Sequence, residues 1–294
     1  MSGMRKGNPM IKAIFFDIDG TLVNKQGKAL ESTKRAIALA QEQGIICGIA
    51  TGRGPIHLSQ KIDELNLDVF VTYNGQLVFS EEKTIRSAHF PEETLKRIVA
   101  FSDRYHRQIM FGSRRSMEGS SLMRFGQNKW AKRLSYFIPK RLPMTVTKNL
   151  ISRLSIHRKE QRYFELDILK EPIYQCVLLS PPSELDTLKE QLPDCHLTRS
   201  NPYTIDIIPA GGSKMIGIQK CVEFFGISTE EIMAFGDSWN DLEMLTGVGI
   251  GVAMGNAEED VKKVADFVTQ SNEADGIYQA LRHYGIISED TLEK

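Results

Sequence analysis

The chain has 294 residues, 41% of them hydrophobic and 25% charged, and its 37 basic and 37 acidic side chains give a formal net charge of zero. That length suits two domains, or one large domain with an insertion, and the composition excludes a mostly disordered or fibrous chain. No apolar run approaches the roughly 18–20 residues that span a bilayer, and the opening MSGMRKGNPM lacks the apolar stretch of an export signal.

Lys12–Phe16 is a short apolar run ending at Asp17-Ile18-Asp19-Gly20, the pattern of a buried strand stopped by a turn. Ser32–Gln43 has helical spacing with Gly44 as its stop. Ile45–Ala50 is apolar and β-branched, then breaks at Thr51-Gly52-Arg53-Gly54-Pro55; a helix to about Leu65 and a strand at Val69–Thr72 follow. Strands alternating with helices at this spacing predict a parallel sheet covered on both faces. Asn74-Gly75 is a turn dipeptide between two β-rich runs.

From residue 82 to 200 the alternation loosens. A helix (Pro91–Arg104), strands (Gln108–Phe111 and Ile173–Ser180) and a helix (Ser183–Leu192) predict a separate α+β module. Between Arg104 and Lys170 lie 16 Lys/Arg and 4 Asp/Glu, an excess of +12 that the rest of the chain balances with −12. Such asymmetry marks two differently specialised regions. The first rhythm then returns with a strand at Tyr203–Ile208, a helix at Ser213–Phe225, a strand at Glu231–Phe235, a helix at Trp239–Thr246, an apolar run at Val248–Met254, and helices at Glu258–Ala265 and Asp275–Tyr284. The expected architecture is an α/β core of residues 10–81 and 201–290 interrupted by a module at 82–200.

Polar clusters follow four predicted strands. Asp17 and Asp19 repel each other unless a cation or shared proton intervenes, and hard oxygen ligands in a compact loop suit Mg²⁺. Thr51-Gly52-Arg53 presents a hydroxyl and a flexible backbone. Gly211-Gly212-Ser213-Lys214 places a lysine in the first turn of a helix, where anions are attracted. Gly236-Asp237-Ser238-Trp239-Asn240-Asp241 adds two carboxylates. Each alone reads equally well as turn, cap or solvated surface. Ligands of open parallel sheets bind at the carboxyl ends of strands, so four such clusters together point to one site.

In this order, Phe15-Phe16-Asp17-Ile18-Asp19-Gly20-Thr21-Leu22, Thr51, Lys214 and Gly236-Asp237-x-x-Asn240-Asp241 resemble the four motifs of the haloacid dehalogenase superfamily. Thr72-Tyr73-Asn74-Gly75 and Met254-Gly255-Asn256-Ala257 resemble its Cof-type branch, subfamily IIB. The resemblance covers residues 10–285. It implies a Rossmann-like parallel-sheet core with an inserted α/β cap of C2B type at residues 82–200. One departure is Met215 after Lys214, where this branch usually has glycine. Another is the sparse acidic content of residues 104–164.

The resemblance further implies a Mg²⁺-dependent phosphatase of small phosphorylated metabolites. Asp17 would be the nucleophile and Asp19 the acid and base. Lys214 would neutralise charge on Asp17 and the phosphoryl group. Thr51, Gly52 and Asn240 would hold phosphate. Mg²⁺ would lie on Asp17, the main-chain carbonyl of Asp19, and Asp237, with Asp241 in support. The cap would close over the site and select the substrate. A sugar phosphomutase on a similar core and cap is the enzymatic alternative, and a non-catalytic phosphometabolite-binding regulator the alternative of another class. A dehalogenase is disfavoured, having no need of Asp19 or a metal.

The basic stretch could steer phosphorylated anions. Its interleaved Trp130, Tyr136 and Phe137 raise a nucleic-acid surface only weakly, because the domain is not basic overall. The six histidines have no metal-ligand spacing. Cys47, Cys176, Cys195 and Cys221 form no CxxC pair, which disfavours a zinc ribbon and, with no export signal, favours a cytoplasmic location. Nothing demands a partner chain, so a monomer or homodimer is expected.

Overall fold

The computed structural model describes residues 10–58, 62–123, 162–199 and 201–288. They form two units, one comprising the chain up to Ser87 and from Gly212 onward, the other Ala88–Gly211. In chain order the first unit opens with β1 (Ala13–Phe16), α1 (Glu31–Glu42), β2 (Ile46–Ala50), β3 (Val69–Thr72), β4 (Leu77–Phe79) and β5 (Thr84–Ser87). The second unit holds α2 (Glu92–Arg104), β6 (Ile109–Gly112), β7 (Met117–Gly119), β8 (Gln175–Leu179), α3 (Leu185–Gln191), β9 (Cys195–Thr198) and β10 (Thr204–Pro209). The first unit resumes with α4 (Lys214–Phe225), β11 (Ile232–Gly236), α5 (Leu242–Gly247), β12 (Ile250–Ala253), α6 (Glu259–Val264), β13 (Phe267–Val268) and α7 (Gly276–His283).

The first unit is an eight-stranded sheet in the order β13-β12-β11-β1-β2-β3-β4-β5. Its strands from β13 to β3 pair parallel, and β4 and β5 add antiparallel at one edge. Alternation along β1 explains why the strand is apolar throughout: Ile14 and Phe16 face one layer with Ile37 and Leu281, while Ala13 and Phe15 face the other with Ile218 and Met244. Each fully buried phenylalanine contributes about 1.5–3 kcal/mol. Phe16 and its register partner Phe235 stack at 5.2 Å between centroids, fixing the ends of β1 and β11 side by side. The chain runs outward from β1 to β3 and returns on the opposite side at β11, so the ends of β1 and β11 form the topological switch point, the customary ligand position of such sheets.

The second unit is a five-stranded sheet in the order β7-β6-β8-β10-β9, antiparallel at every pairing. Its core face carries Ile109, Phe111, Cys176, Leu178, Ile205 and Ile207. The strand read as the first of the returning core, Tyr203–Ile208, therefore lies here, paired to β8 and β9, and the first unit resumes at Gly212 instead of 201. Apolar periodicity defines a strand locally but not the sheet it joins. The segment expected to be helical up to Leu65 contains single 3₁₀ turns at Pro55–His57 and Asp63–Leu65. Most of the basic stretch, with Lys129–Arg141 and its aromatics, lies outside the described residues.

Cys47, Cys176 and Cys221 are buried, and all four thiols are free. Among the described residues no helix is long and apolar enough to cross a membrane.

Candidate active site

The four clusters meet at the switch point of the first unit. Asp17 is the first residue past β1; its N–H donates to the Phe235 carbonyl at 2.9 Å, so the β-ladder itself aims the side chain. Lys214 opens α4 behind Ser213, whose hydroxyl caps the helix by accepting from the Ile216 N–H. The lysine is 1% exposed, and its ammonium donates to Asp17 Oδ1 at 2.5 Å and to Asp241 Oδ1 at 2.6 Å. Asp241 is 0% exposed. Its other oxygen accepts the N–H groups of Asp237 and Ser238, both at 3.0 Å, closing a tight turn after β11. This turn makes Trp239–Asp241 a 3₁₀ element that precedes α5, where one continuous helix was predicted.

Carboxylate oxygens of Asp17, Asp237 and Asp241 lie within 4.8 Å of one another. Three carboxylates against one ammonium leave a formal charge of −2 in a buried site. Burial lifts the Asp17 carboxyl well above its usual range; Lys214 opposes the rise, and Asp241 and Asp237 add to it. Burial also raises Asp237 to about 7, reinforced by Asp241 and opposed by the Thr21 hydroxyl, which donates to Asp237 Oδ1 at 3.1 Å. For Lys214, burial pulls downward, but Asp17 and Asp241 outweigh it and the ammonium is held charged. An oxygen-only donor set with excess negative charge fits a hard divalent cation.

Gly20 shows how closely the loops approach. Its φ is +89°, and a Cβ there would lie 2.2 Å from Asp237 Oδ2, so only glycine permits both the turn and the approach of the second carboxylate. The Met215 departure has a comparable explanation: its thioether packs where a Cβ on Gly247 would lie 2.8 Å from the sulfur, while Gly217 provides the close approach of α4 to Val71 and Gly75.

The remaining predicted residues flank this centre. Thr51 is buried at the end of β2, with Gly52 beside it. Asn240 donates to Asn74 Oδ1 at 3.1 Å. Asn74 sits in a turn where it and Tyr73 both have positive φ, a conformation that asparagine tolerates better than most residues. Asp19 is not among the three clustered carboxylates; Arg53 Nε donates to its Oδ2, and Arg53 Nη2 donates to its Oδ1 at 2.7 Å. Sequence reasoning assigned no role to Thr21 or Asn74, although both lie inside the quoted motifs. Nor did it pair Lys214 with Asp241, a contact made across 27 residues.

The doubly wound core, the inserted antiparallel unit and this Asp-Lys-Asp centre are those of the haloacid dehalogenase fold. The sequence profile described as haloacid dehalogenase-like hydrolase matches residues 14–281, and the chain belongs to that family. YkrA, a Bacillus subtilis protein provisionally named a phosphatase, is 32% identical over 94% of this chain and 98% of its own length. The Bacillus subtilis protein YcsE, named 5-amino-6-(5-phospho-D-ribitylamino)uracil phosphatase, is 30% identical over 93% of this chain and 96% of its own. The solved structure of BT4131, described as a subclass IIB sugar phosphatase, superposes with a TM-score of 0.76 at 32% identity, covering 94% of this chain and all of that one. The chain is an enzyme, a phosphatase of the haloacid dehalogenase superfamily.

Proposed function

We propose that this enzyme is a Mg²⁺-dependent phosphatase of small phosphorylated metabolites, either sugar phosphates or cofactor phosphates, acting through an aspartyl-phosphate on Asp17. The observation that carries the reading is the buried Lys214 ammonium held between Asp17 and Asp241 at 2.5 and 2.6 Å. The geometry keeps a cation against the carboxylate that attacks and leaves its second oxygen for phosphorus. Relatives named as acting on a phosphoribityl compound and on sugar phosphates support the substrate class.

Asp17 attacks phosphorus, forming an acyl-phosphate bond as the ester P–O bond breaks. Asp19 gives its proton to the departing oxygen, then takes one from the water that cleaves the acyl-phosphate, releasing inorganic phosphate and restoring the Asp17 carboxylate. Thr51, Gly52 and Asn240 donate to the phosphoryl oxygens, where charge concentrates in the transition state, and Lys214 neutralises it. Mg²⁺ would be held by Asp17, the Asp19 main-chain carbonyl and Asp237, with Asp241 in support, and would supply Lewis-acid charge stabilisation. The four free thiols suit a reducing, cytoplasmic location.

Phosphate release from p-nitrophenyl phosphate and a panel of sugar and cofactor phosphates, with Mg²⁺ and with EDTA, tests this reading. Metal-dependent release is expected, and the ranking names the substrate. No release by folded, Mg²⁺-loaded protein would sink it, and an isomerised sugar phosphate in place of free phosphate would point to a mutase.

Cation affinity is expected to depend on pH. With Asp237 raised to about 7 in the metal-free protein, binding must displace a proton below that value. Mg²⁺ affinity therefore rises about tenfold per pH unit as pH climbs toward about 7, with one proton or more released per ion. Calorimetry in buffers of different ionisation enthalpy reads both quantities. A pH-independent affinity would show that neither Asp237 nor Asp17 is a ligand that carries a proton in the metal-free site.

A further inference from the structure

Arg53 belongs to the Thr51-Gly52-Arg53 cluster that follows β2. In the structure its guanidinium grips both oxygens of Asp19, a residue 34 positions away, so no local turn forces the contact. The backbone under the arginine is pinned on both sides. Its N–H donates to Thr51 Oγ1 at 3.1 Å, and its carbonyl accepts from the Tyr73 N–H at 3.0 Å. A Cβ on the next residue, Gly54, would lie 2.1 Å from Tyr73 Oη, so this segment lies flush against a buried ring. At 28% and 51% side-chain exposure such an ion pair adds little to stability. A two-donor fork does, however, fix the plane of a carboxylate, which a single point charge does not.

We propose that Arg53 is a positioning residue: it holds the Asp19 carboxyl in the plane from which that group exchanges a proton with the departing ester oxygen. The inference rests on the reaction proposed above. As the ester P–O bond breaks, a proton passes from one Asp19 oxygen to the leaving oxygen. Both oxygens accept in the ion pair, so that oxygen takes up its proton when one contact of the fork opens, and the other contact keeps the group aligned. Misalignment of the acid should therefore matter most when the leaving oxygen is a poor one and needs the proton.

The test compares kcat/KM for phenyl phosphate with that for p-nitrophenyl phosphate, two esters of similar shape whose leaving groups differ in their need for an acid. Because kcat/KM reports the steps up to loss of the phenol, it isolates the acid from the later attack of water. For Arg53→Ala the phenyl to p-nitrophenyl ratio is expected to fall about tenfold or more, in the same direction as for Asp19→Asn. Arg53→Lys, with a point charge in place of the fork, restores part of the ratio. Thermal melts within a few degrees of wild type accompany these values, and Arg53→Gln provides the same comparison should alanine fail to fold. An equal loss on both esters, or a ratio that moves in Asp19→Asn but not in the Arg53 variants, would overturn the proposal and leave Arg53 as a phosphate or structural contact. Absence of metal-dependent release by wild type, or activity surviving in Asp17→Asn, would instead overturn the underlying reaction.

Discussion

Asp17→Asn is expected to lower kcat on p-nitrophenyl phosphate by about four orders of magnitude or more, because the amide oxygen is a far weaker nucleophile and no neighbouring group replaces it. The same variant should melt no lower than wild type in EDTA. Asp17 has its carboxyl pushed well above the usual range by burial, with Asp241 and Asp237 adding and Lys214 opposing. A carboxyl raised in the folded state favours folding fully at pH values below its unfolded pKa, and that contribution is lost as pH rises toward the folded value. Near pH 8 and without metal, the buried Asp17 carboxyl is therefore a burden that the amide lacks. Lys214 keeps Asp241 as a partner at 2.6 Å, so the ammonium is not stranded. A gain of roughly 2–4 °C in Tm, about 1 kcal/mol, is the scale expected at pH 8, shrinking toward pH 5. Mg²⁺ should raise the Tm of wild type more than that of the variant, since one ligand oxygen loses its charge. Activity within tenfold of wild type would rule out Asp17 as the nucleophile. A Tm lowered by many degrees in EDTA would show a structural role instead.

The parts of this site that were legible from sequence are those whose signal is local. Asp17, Asp19, Asp237 and Lys214 follow strand ends or open a helix, and the turn and capping chemistry that places them is written within a few residues. The Ser213 cap and the Gly20 turn are examples. Contacts that depend on two distant loops meeting were not legible. Arg53 reaches Asp19 across 34 residues and Asp241 reaches Lys214 across 27. The same limit explains β10: Ile205 and Ile207 alternate as they would in either sheet, and only pairing with β8 and β9 assigns them to the second. Trp239–Thr246 has the composition of a helix, yet Asp241 folds back to accept from the Asp237 and Ser238 N–H groups, and the first turn tightens to 3₁₀. Here the demand for an oriented carboxylate overrides helix propensity.

Lys214→Met should damage both folding and turnover. The methionine keeps the length and apolar stem of the lysine while removing the one cation between Asp17 and Asp241. Breaking a buried pair by deleting one partner typically costs about 3–5 kcal/mol, because the charge left behind has neither water nor counter-ion. Three clustered carboxylates would remain without an internal ammonium. The Asp17 and Asp237 carboxyl pKa values must then rise further, since Lys214 lowers both. Folded-state values above the unfolded ones make stability fall with rising pH. The variant is therefore expected to be least defective near pH 5 and progressively worse toward pH 8, and Mg²⁺, bound to the same oxygens, should recover part of the loss. Denaturant titrations at the two pH values, with and without Mg²⁺, read this directly. Turnover should remain negligible even in the Mg²⁺-rescued protein, because phosphoryl charge and Asp17 would still lack their shared ammonium. Destabilisation that is the same at both pH values would mean that Lys214 acts by packing alone, and the electrostatic account of the centre would fail with it.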